Sequence, residues 1–359
     1  MGLFGKFKKD GNKKVVRKGF HQLEVSAVKK LTEDCVKIEL SVPLDLKRKY
    51  VFKAGQYLDF IIDIDNKEEH RSYSICSGAD EILSIAVKSI SNGKVSKWFN
   101  ELVKSGDAIW VSEPKGNFTL NESVKNVIGI AAGSGITPIL SIAKELKQNG
   151  GTLNLVYGNR KIDSIIFKDE IAALNNVHVD HFLTGEKVDG YHEGRINKDS
   201  FTEWLKSDLN RLKSDAFFIC GPEQMIMDVK ATLTFFGVSN DKIRYELFTA
   251  PVLMESSSKK AVSSFDGLSK VKAILESEVV EFSLASKGGS LLEAAEKAGL
   301  DAPYSCKGGV CCSCRAKVLK GSAMMKANYA LTDEEVEQGY ILTCQAHPSS
   351  EELIFSYDE

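Results

Sequence analysis

The chain lacks any apolar run near the roughly 18 residues that a membrane-spanning helix requires. It has only three Trp, seven Pro and six His in 359 residues, and no internal repeat. The start, Met1-Gly2-Leu3-Phe4-Gly5-Lys6, has no apolar core of the secretory type, so a soluble cytoplasmic protein without a membrane span is expected. No nucleophile or acid/base constellation for turning over an organic substrate is visible. Composition is ordinary for a globular chain, 43% hydrophobic and 27% charged, and the length suits two or three domains.

Net charge is only −2, but it is unevenly placed. Residues 1–18 hold seven Lys/Arg and one Asp, a net +6, whereas residues 268–359 hold nine Lys/Arg and fourteen Asp/Glu, a net −5. The basic leader has neither interleaved aromatics nor a long apolar face. It therefore reads as a solvated, disordered tail over 1–20 rather than a nucleic-acid or membrane contact. Cysteine is the other uneven resource. Cys35, Cys76 and Cys220 stand alone, while Cys306, Cys311, Cys312, Cys314 and Cys344 crowd the last sixth of the chain. In a cytosolic protein that clustering points to a metal centre rather than a disulfide framework.

Three patterns divide the chain. From 21 to 121, short apolar runs such as Val36–Leu40, Tyr57–Ile62, Leu83–Val87 and Ala108–Val111 alternate with turn residues, which predicts a small antiparallel β-barrel interrupted by a helix near Val95–Val103. From 122 to 250, strands (Val127–Ala132, Leu153–Tyr157, Val177–Phe182, Ala216–Cys220) alternate with helices (Ile139–Gln148, about Phe167–Leu174, Glu223–Phe236), the punctuation of a doubly wound parallel sheet. Residues 251–267, containing Glu255-Ser256-Ser257-Ser258-Lys259-Lys260, read as a linker. From 268 to 359 a hairpin, a helix capped by Ser290, the cysteine loop and late strands predict an α+β module.

The cysteine loop carries the strongest chemistry. Cys306, Cys311 and Cys314 are spaced C-x4-C-x2-C, and Cys344 supplies a fourth thiolate, which is the plant-type [2Fe–2S] pattern. Four soft thiolates suit iron–sulfur or zinc. Gly308 and Gly309 favour the cluster, because they let backbone amides approach inorganic sulfide, whereas a zinc ribbon more typically shows two C-x2-C pairs. Cys312 is one thiol too many and reads as a packed non-ligand.

The segments Tyr304-Ser305-Cys306, Ala327–Leu331 and Gly339–Pro348 resemble the C-terminal ferredoxin domain, β-grasp-like in fold, of the phenylacetyl-CoA epoxidase reductases. Arg71-Ser72-Tyr73-Ser74 resembles the R-x-Y-S flavin motif of the ferredoxin–NADP reductase superfamily, and Gly93-Lys94-Val95-Ser96 resembles its second flavin motif. Arg71 suits a pyrophosphate, Tyr73 the face of an isoalloxazine ring, and Ser74 the ring's reactive edge. Two pyrophosphate-directed motifs favour FAD over FMN. Gly133-Ser134-Gly135-Ile136-Thr137-Pro138 between a strand and a helix, with Cys220-Gly221-Pro222 later, resembles the nicotinamide-binding segments of the same superfamily. The resemblance implies that Thr137 and Cys220 lie near the reacting rings, that Glu246 relays a proton and that Phe248 covers the flavin. The bland alternatives are a buried strand-end thiol for Cys220 and a solvated surface charge for Glu246. Asn159, Arg160, Lys161 and Ser164 follow the second strand of the nucleotide domain, where a 2′-phosphate would arrive, so NADPH is expected over NADH, although Asp163 argues the other way.

The expected activity is electron transfer from NAD(P)H through FAD and [2Fe–2S] to an oxygenase, in first place a di-iron enzyme such as the phenylacetyl-CoA epoxidase of phenylacetate degradation. The alternatives are a reductase serving a fatty-acid desaturase or an aromatic-ring hydroxylase, and a non-catalytic iron–sulfur redox sensor.

Overall fold

The computed structural model describes residue 17 and residues 19–248, 265–276 and 278–359. The expected tail over 1–20 lies outside the described residues except at 17, 19 and 20, and the expected linker over 251–267 lies outside them except at 265–267.

Six antiparallel strands form the first unit: β1 (Phe20–Thr32), β2 (Cys35–Ser41), β3 (Tyr57–Ile64), β4 (Lys67–Ser74), β5 (Ser84–Lys88) and β6 (Ala108–Ser112). Their order is β4-β3-β6-β1-β2-β5. A bridge between Ile75, just after β4, and Ile85 in β5 joins the two edge strands and closes the sheet into a barrel. Leu23, Val25, Ile38, Leu58, Phe60 and Val111 fill its interior, and helix α1 (Lys94–Glu101) plugs one end with Val95 and Phe99.

The second unit is a parallel sheet of β7 (Asn126–Ala132), β8 (Thr152–Asn159), β9 (Val177–Leu183), β10 (His192–Glu193), β11 (Ala216–Cys220) and β12 (Ile243–Glu246), in the order β10-β9-β8-β7-β11-β12. Alternate residues of its strands enter different cores. Val127, Leu155 and Phe218 pack with α2 (Ile136–Gln148) and α3 (Lys168–Ala172), whereas Ile128, Val156 and Phe217 pack with α4 (Lys198–Ser207) and α5 (Glu223–Phe235). The sheet is thus covered on both faces, as parallel sheets require. Strand order reverses at β7, which pairs with both β8 and β11, so the ligand crevice lies beyond the carboxyl ends of these strands. The first core also takes in Cys76, Ala86 and Phe118 from the barrel and so joins the two units.

The third unit has β13 (Leu268–Leu275), β14 (Glu278–Ala285), α6 (Leu291–Lys297), β15 (Arg315–Lys320), β16 (Ala323–Met325), α7 (Asp333–Glu337), β17 (Tyr340–Leu342), β18 (Ala346–Pro348) and β19 (Glu352–Ser356). The main sheet runs β14-β13-β19-β15-β17, with β13 and β19 parallel and the other pairs antiparallel. Ser290 caps α6 by accepting from Glu293 N–H, while the Glu293 carboxylate accepts from Ser290 N–H. Leu291, Leu292 and Ala295 of that helix pack on Val271, Leu353 and Phe355. Among the described residues no helix is long and apolar enough to cross a membrane.

Candidate functional site

The cluster loop is shaped by two left-handed residues, Lys307 (φ 51°) and Gly309 (φ 75°). The second position needs glycine for space as well, since a Cβ there would stand 3.0 Å from the Gln345 side chain and 3.1 Å from the Ala327 carbonyl oxygen. The resulting turn aims amides at sulfur. Gly308 N–H donates to Cys306 Sγ at 3.3 Å, and the amides of Val310 and Gly309 stabilise the Cys306 and Cys344 thiolates.

The four candidate ligands stand as two pairs. Cys311 Sγ donates to Cys306 Sγ at 3.1 Å, and Cys314 donates to Cys344. Within the pairs, the hydrogen bond from Cys311 and the loop amides hold Cys306 down to about 7, and the bond from Cys314 holds Cys344 below the usual thiol range. Cys311 and Cys314 are pushed up, because each shares its proton with an anionic neighbour. Among the described residues no three His, Cys, Asp or Glu side chains converge as one ion would require. Two thiolate pairs in a glycine-shaped nest of amides fit a two-iron cluster, with one pair to each iron. Cys312 is turned elsewhere: its thiol donates to the Ala330 carbonyl at 3.6 Å, and burial pushes it up to about 12.

The cluster loop and the flavin motif wall the same cavity. It measures about 510 Å³, and its lining includes Arg71, Ser72, Ser74, Glu246, Phe248, Cys306 and Cys311, a size within the range of cofactor sites. Alternation in β4 sends Ser72 and Ser74 to the cavity face and Arg71 and Tyr73 to the other, and the long, exposed Arg71 side chain still reaches the cavity rim. Tyr73 is not among the lining residues; its ring packs edge-on against Phe60 and Phe99, at 5.7 and 5.4 Å between centroids. The exposed Arg71 guanidinium and the Lys94 ammonium both reach Glu69, at 3.4 and 3.3 Å, which places the two cations together beside the start of α1. Arg71 at the cavity rim, with Lys94 and the N-terminus of α1 beside it and Glu69 between the two cations, is a grouping suited to a pyrophosphate. Glycine is required at 93, where a Cβ would come within 2.4 Å of Ile90 and of Ser96 Oγ, the hydroxyl that donates back to the Gly93 carbonyl.

The nicotinamide segments converge beyond β7 and β11. A Cβ at Gly135 would lie 2.0 Å from the Cys220 carbonyl oxygen, so the two loops touch at backbone distance. Thr137 is buried and donates to the Ser134 carbonyl at 3.0 Å. Cys220 is fully buried, and burial drives its thiol well above the ordinary range, so it stays protonated. It pairs in register with Glu246, whose carboxyl is pushed up to about 8, chiefly by burial, and accepts from Ser74 Oγ at 3.1 Å. Phe248 is 43% exposed and lines the cavity beside it. Pro222 caps α5 with extended backbone, and Gly221 leaves room for Ala132 and Met225.

The four residues at and just beyond the end of β8 diverge. Asn159 is buried with neither side-chain amide atom partnered, Arg160 is exposed, and the Ser164 hydroxyl is spent within its own turn, accepting from Lys161 N–H and donating to the Lys161 carbonyl. Of the expected set, only the exposed Arg160 and Lys161 side chains remain open to a ligand.

The family model for a 2Fe-2S iron-sulfur cluster binding domain matches residues 276–349, that for an oxidoreductase NAD-binding domain 130–231, and that for an oxidoreductase FAD-binding domain 22–120. The chain is 34% identical over 351 residues to one of the subunits of the 1,2-phenylacetyl-CoA epoxidase of Escherichia coli, spanning 94% of this chain and 98% of that one. It belongs to the same reductase family. Members of this family include the ferredoxin reductase component of a 3-ketosteroid-9-alpha-monooxygenase from Rhodococcus rhodochrous, 32% identical over 92% of this chain and 95% of the relative. The reductases of the family pass electrons from NAD(P)H through FAD and [2Fe–2S] to an oxygenase, and this chain is such an oxidoreductase. Among solved structures, phthalate dioxygenase reductase, described as a modular structure for electron transfer from pyridine nucleotides to [2Fe-2S], aligns with a TM-score of 0.58 and 25% identity over 94% of this chain and 98% of that one.

Residues outside the expected set also build the site. Asp59 and Tyr57 of β3 and Ser305 and Ser313 of the cluster loop connect the barrel to the third unit, and the His70 ring stacks on Tyr304 at 4.6 Å. Asp59 had one visible signal, a lone carboxylate inside the apolar run Tyr57-Leu58-Asp59-Phe60-Ile61-Ile62.

Proposed function

We propose that this reductase delivers electrons to a di-iron oxygenase acting on phenylacetyl-CoA, in the cytoplasm. One observation carries the electron path: the cavity that presents Arg71, Ser72 and Ser74 on one wall presents Cys306 and Cys311 on another. When bound, FAD takes up hydride and releases electrons singly, and the cluster passes them on. The protein's part is placement. Arg71, Lys94 and the α1 amides would hold the pyrophosphate, and Ser74, Glu246 and Phe248, which line the cavity, would contact the flavin ring. Thr137 and Cys220 would border the nicotinamide, and Cys306 with Cys311 and Cys314 with Cys344 would each hold one iron. Glu246, its carboxyl pushed up to about 8, keeps a proton at neutral pH on the cavity wall and can pass it on through Ser74 Oγ. Arg160 and Lys161 favour NADPH.

The choice of acceptor rests on the 34% identity across nearly the whole length of one component of a phenylacetyl-CoA epoxidase. The 32% match to a ketosteroid monooxygenase reductase supports a second reading, another oxygenase as acceptor. The test is reconstitution: this reductase, NADPH and the purified di-iron component of a phenylacetyl-CoA epoxidase are expected to convert phenylacetyl-CoA to its epoxide. Turnover should fall as salt rises above physiological strength, because the acidic third unit docks on a basic surface. Failure here, with brisk electron transfer to a ketosteroid monooxygenase, would favour the second reading.

A further inference from the structure

The cluster loop is gripped at both ends by one buried carboxylate of the barrel. Asp59 is only 1% exposed, yet it lies on the face of β3 opposite Leu58, Phe60 and Ile62, outside the barrel core, where the third unit covers it. Its Oδ1 accepts from Ser72 Oγ at 2.6 Å, and its Oδ2 accepts from Ser313 Oγ at 2.6 Å and from Lys115 Nζ at 3.0 Å. Ser72 continues the chain of contacts to Ser305, with the two hydroxyls 2.8 Å apart. Ser305 immediately precedes Cys306 and Ser313 immediately precedes Cys314, so the carboxylate reaches both thiolate pairs at one residue's remove. Between them, Cys312 N–H donates to Tyr57 Oη at 3.0 Å from the same strand.

A carboxylate buried this deeply is tolerated only with its charge paired and its oxygens occupied. We infer that Asp59 is a positioning residue that fixes the cluster loop against the flavin cavity and thereby sets the rate of electron passage between them. The step it tunes moves one electron at a time from reduced FAD to the oxidised cluster, with no bond made or broken. NAD(P)H supplies two electrons per turnover, and the acceptor removes them singly. Such transfer falls steeply with distance, and the polar seam supplies a directional restraint that an apolar contact would not.

The inference rests on Cys306, Cys311, Cys314 and Cys344 holding the cluster, and iron content separates failure of that assignment from failure of this one. The variants are Asp59→Asn and, since that change leaves the partly exposed Lys115 ammonium without its carboxylate, Ser313→Ala, which removes the loop hydroxyl that meets Asp59. Ser313→Thr keeps the hydroxyl and serves as the rescue. With two irons retained, hydrogen exchange at the amides of 305–314, and at Cys312 N–H above all, is expected to accelerate in the first two variants and not in Ser313→Thr. In stopped-flow single turnover, flavin reduction by NADPH should be unchanged and subsequent cluster reduction severalfold slower, because transfer weakens with each increment of distance between flavin and cluster. Ser313→Ala with the exchange and cluster-reduction rate of the parent would overturn the proposal, as would a slow rate that Ser313→Thr fails to restore.

Discussion

Cys220 and Glu246 face each other across the β11–β12 pair, a protonated thiol beside a carboxyl that Ser74 of the barrel reaches at 3.1 Å. Three elements remote in sequence thus meet beside the cavity that Ser74 and Glu246 line, and packing there desolvates the half-buried Glu246 carboxyl.

Glu246 therefore titrates late. Its folded pKa of about 8 lies above the unfolded value, so between the ordinary carboxylate range and about pH 8 the folded chain binds more protons than the unfolded one. Stability falls with rising pH across that window. Glu246→Gln should flatten this fall in urea titrations run from pH 5 to 9, and an unchanged slope would place the titration elsewhere.

Arg71→Ala removes one of the two cations at the pyrophosphate edge. Losing a charge-assisted hydrogen bond costs about 1.5–3 kcal/mol, so the FAD dissociation constant should rise about tenfold to a hundredfold, read by fluorescence of released flavin. Full retention would make Arg71 only the surface partner of Glu69.

Arg160→Glu should lower kcat/KM with NADPH by about a hundredfold and leave that with NADH within a fewfold, since a carboxylate would face the 2′-phosphate. Equal losses with the two dinucleotides would place Arg160 outside that pocket.

Serine at Cys306, Cys311, Cys314 or Cys344 should abolish or strongly destabilise the cluster, while Cys312→Ser should keep both irons, because its thiol is bonded to the Ala330 carbonyl instead. Iron analysis of anaerobically prepared variants checks this. Iron lost from Cys312→Ser but kept in Cys311→Ser would shift the ligand assignment by one residue.

Much of this was legible because it is local. The C-x4-C-x2-C spacing, the glycine turns after strands and the switch of hydrophobic period mark three modules and their order. Helix α6 begins where Ser290 predicts it, and α3 is shorter than its pattern suggests, Lys168–Ala172. Strand β4 is hard to read because Lys67-Glu68-Glu69-His70-Arg71 is charged, as befits a strand whose outer side borders a ligand site. Helix α4, with its Asn197 cap and Phe201, Trp204 and Leu205 on one face, carries a clear signal that the strand alternation overshadowed. The Asp59 to Ser313 contact spans 254 residues, and no local pattern announces which serine a buried carboxylate will meet.

The central claim is the order of electron flow, from NAD(P)H to FAD to the cluster, and anaerobic single-turnover reduction by NADPH tests it most directly in the parent chain and in Cys344→Ser. In the parent, flavin absorbance should bleach first and the reduced-cluster EPR signal should follow. In Cys344→Ser the flavin should bleach at the parent rate with no cluster signal, and ferricyanide reduction should persist while cytochrome c reduction falls. A cluster signal that appears at the parent rate in FAD-depleted protein would contradict the account.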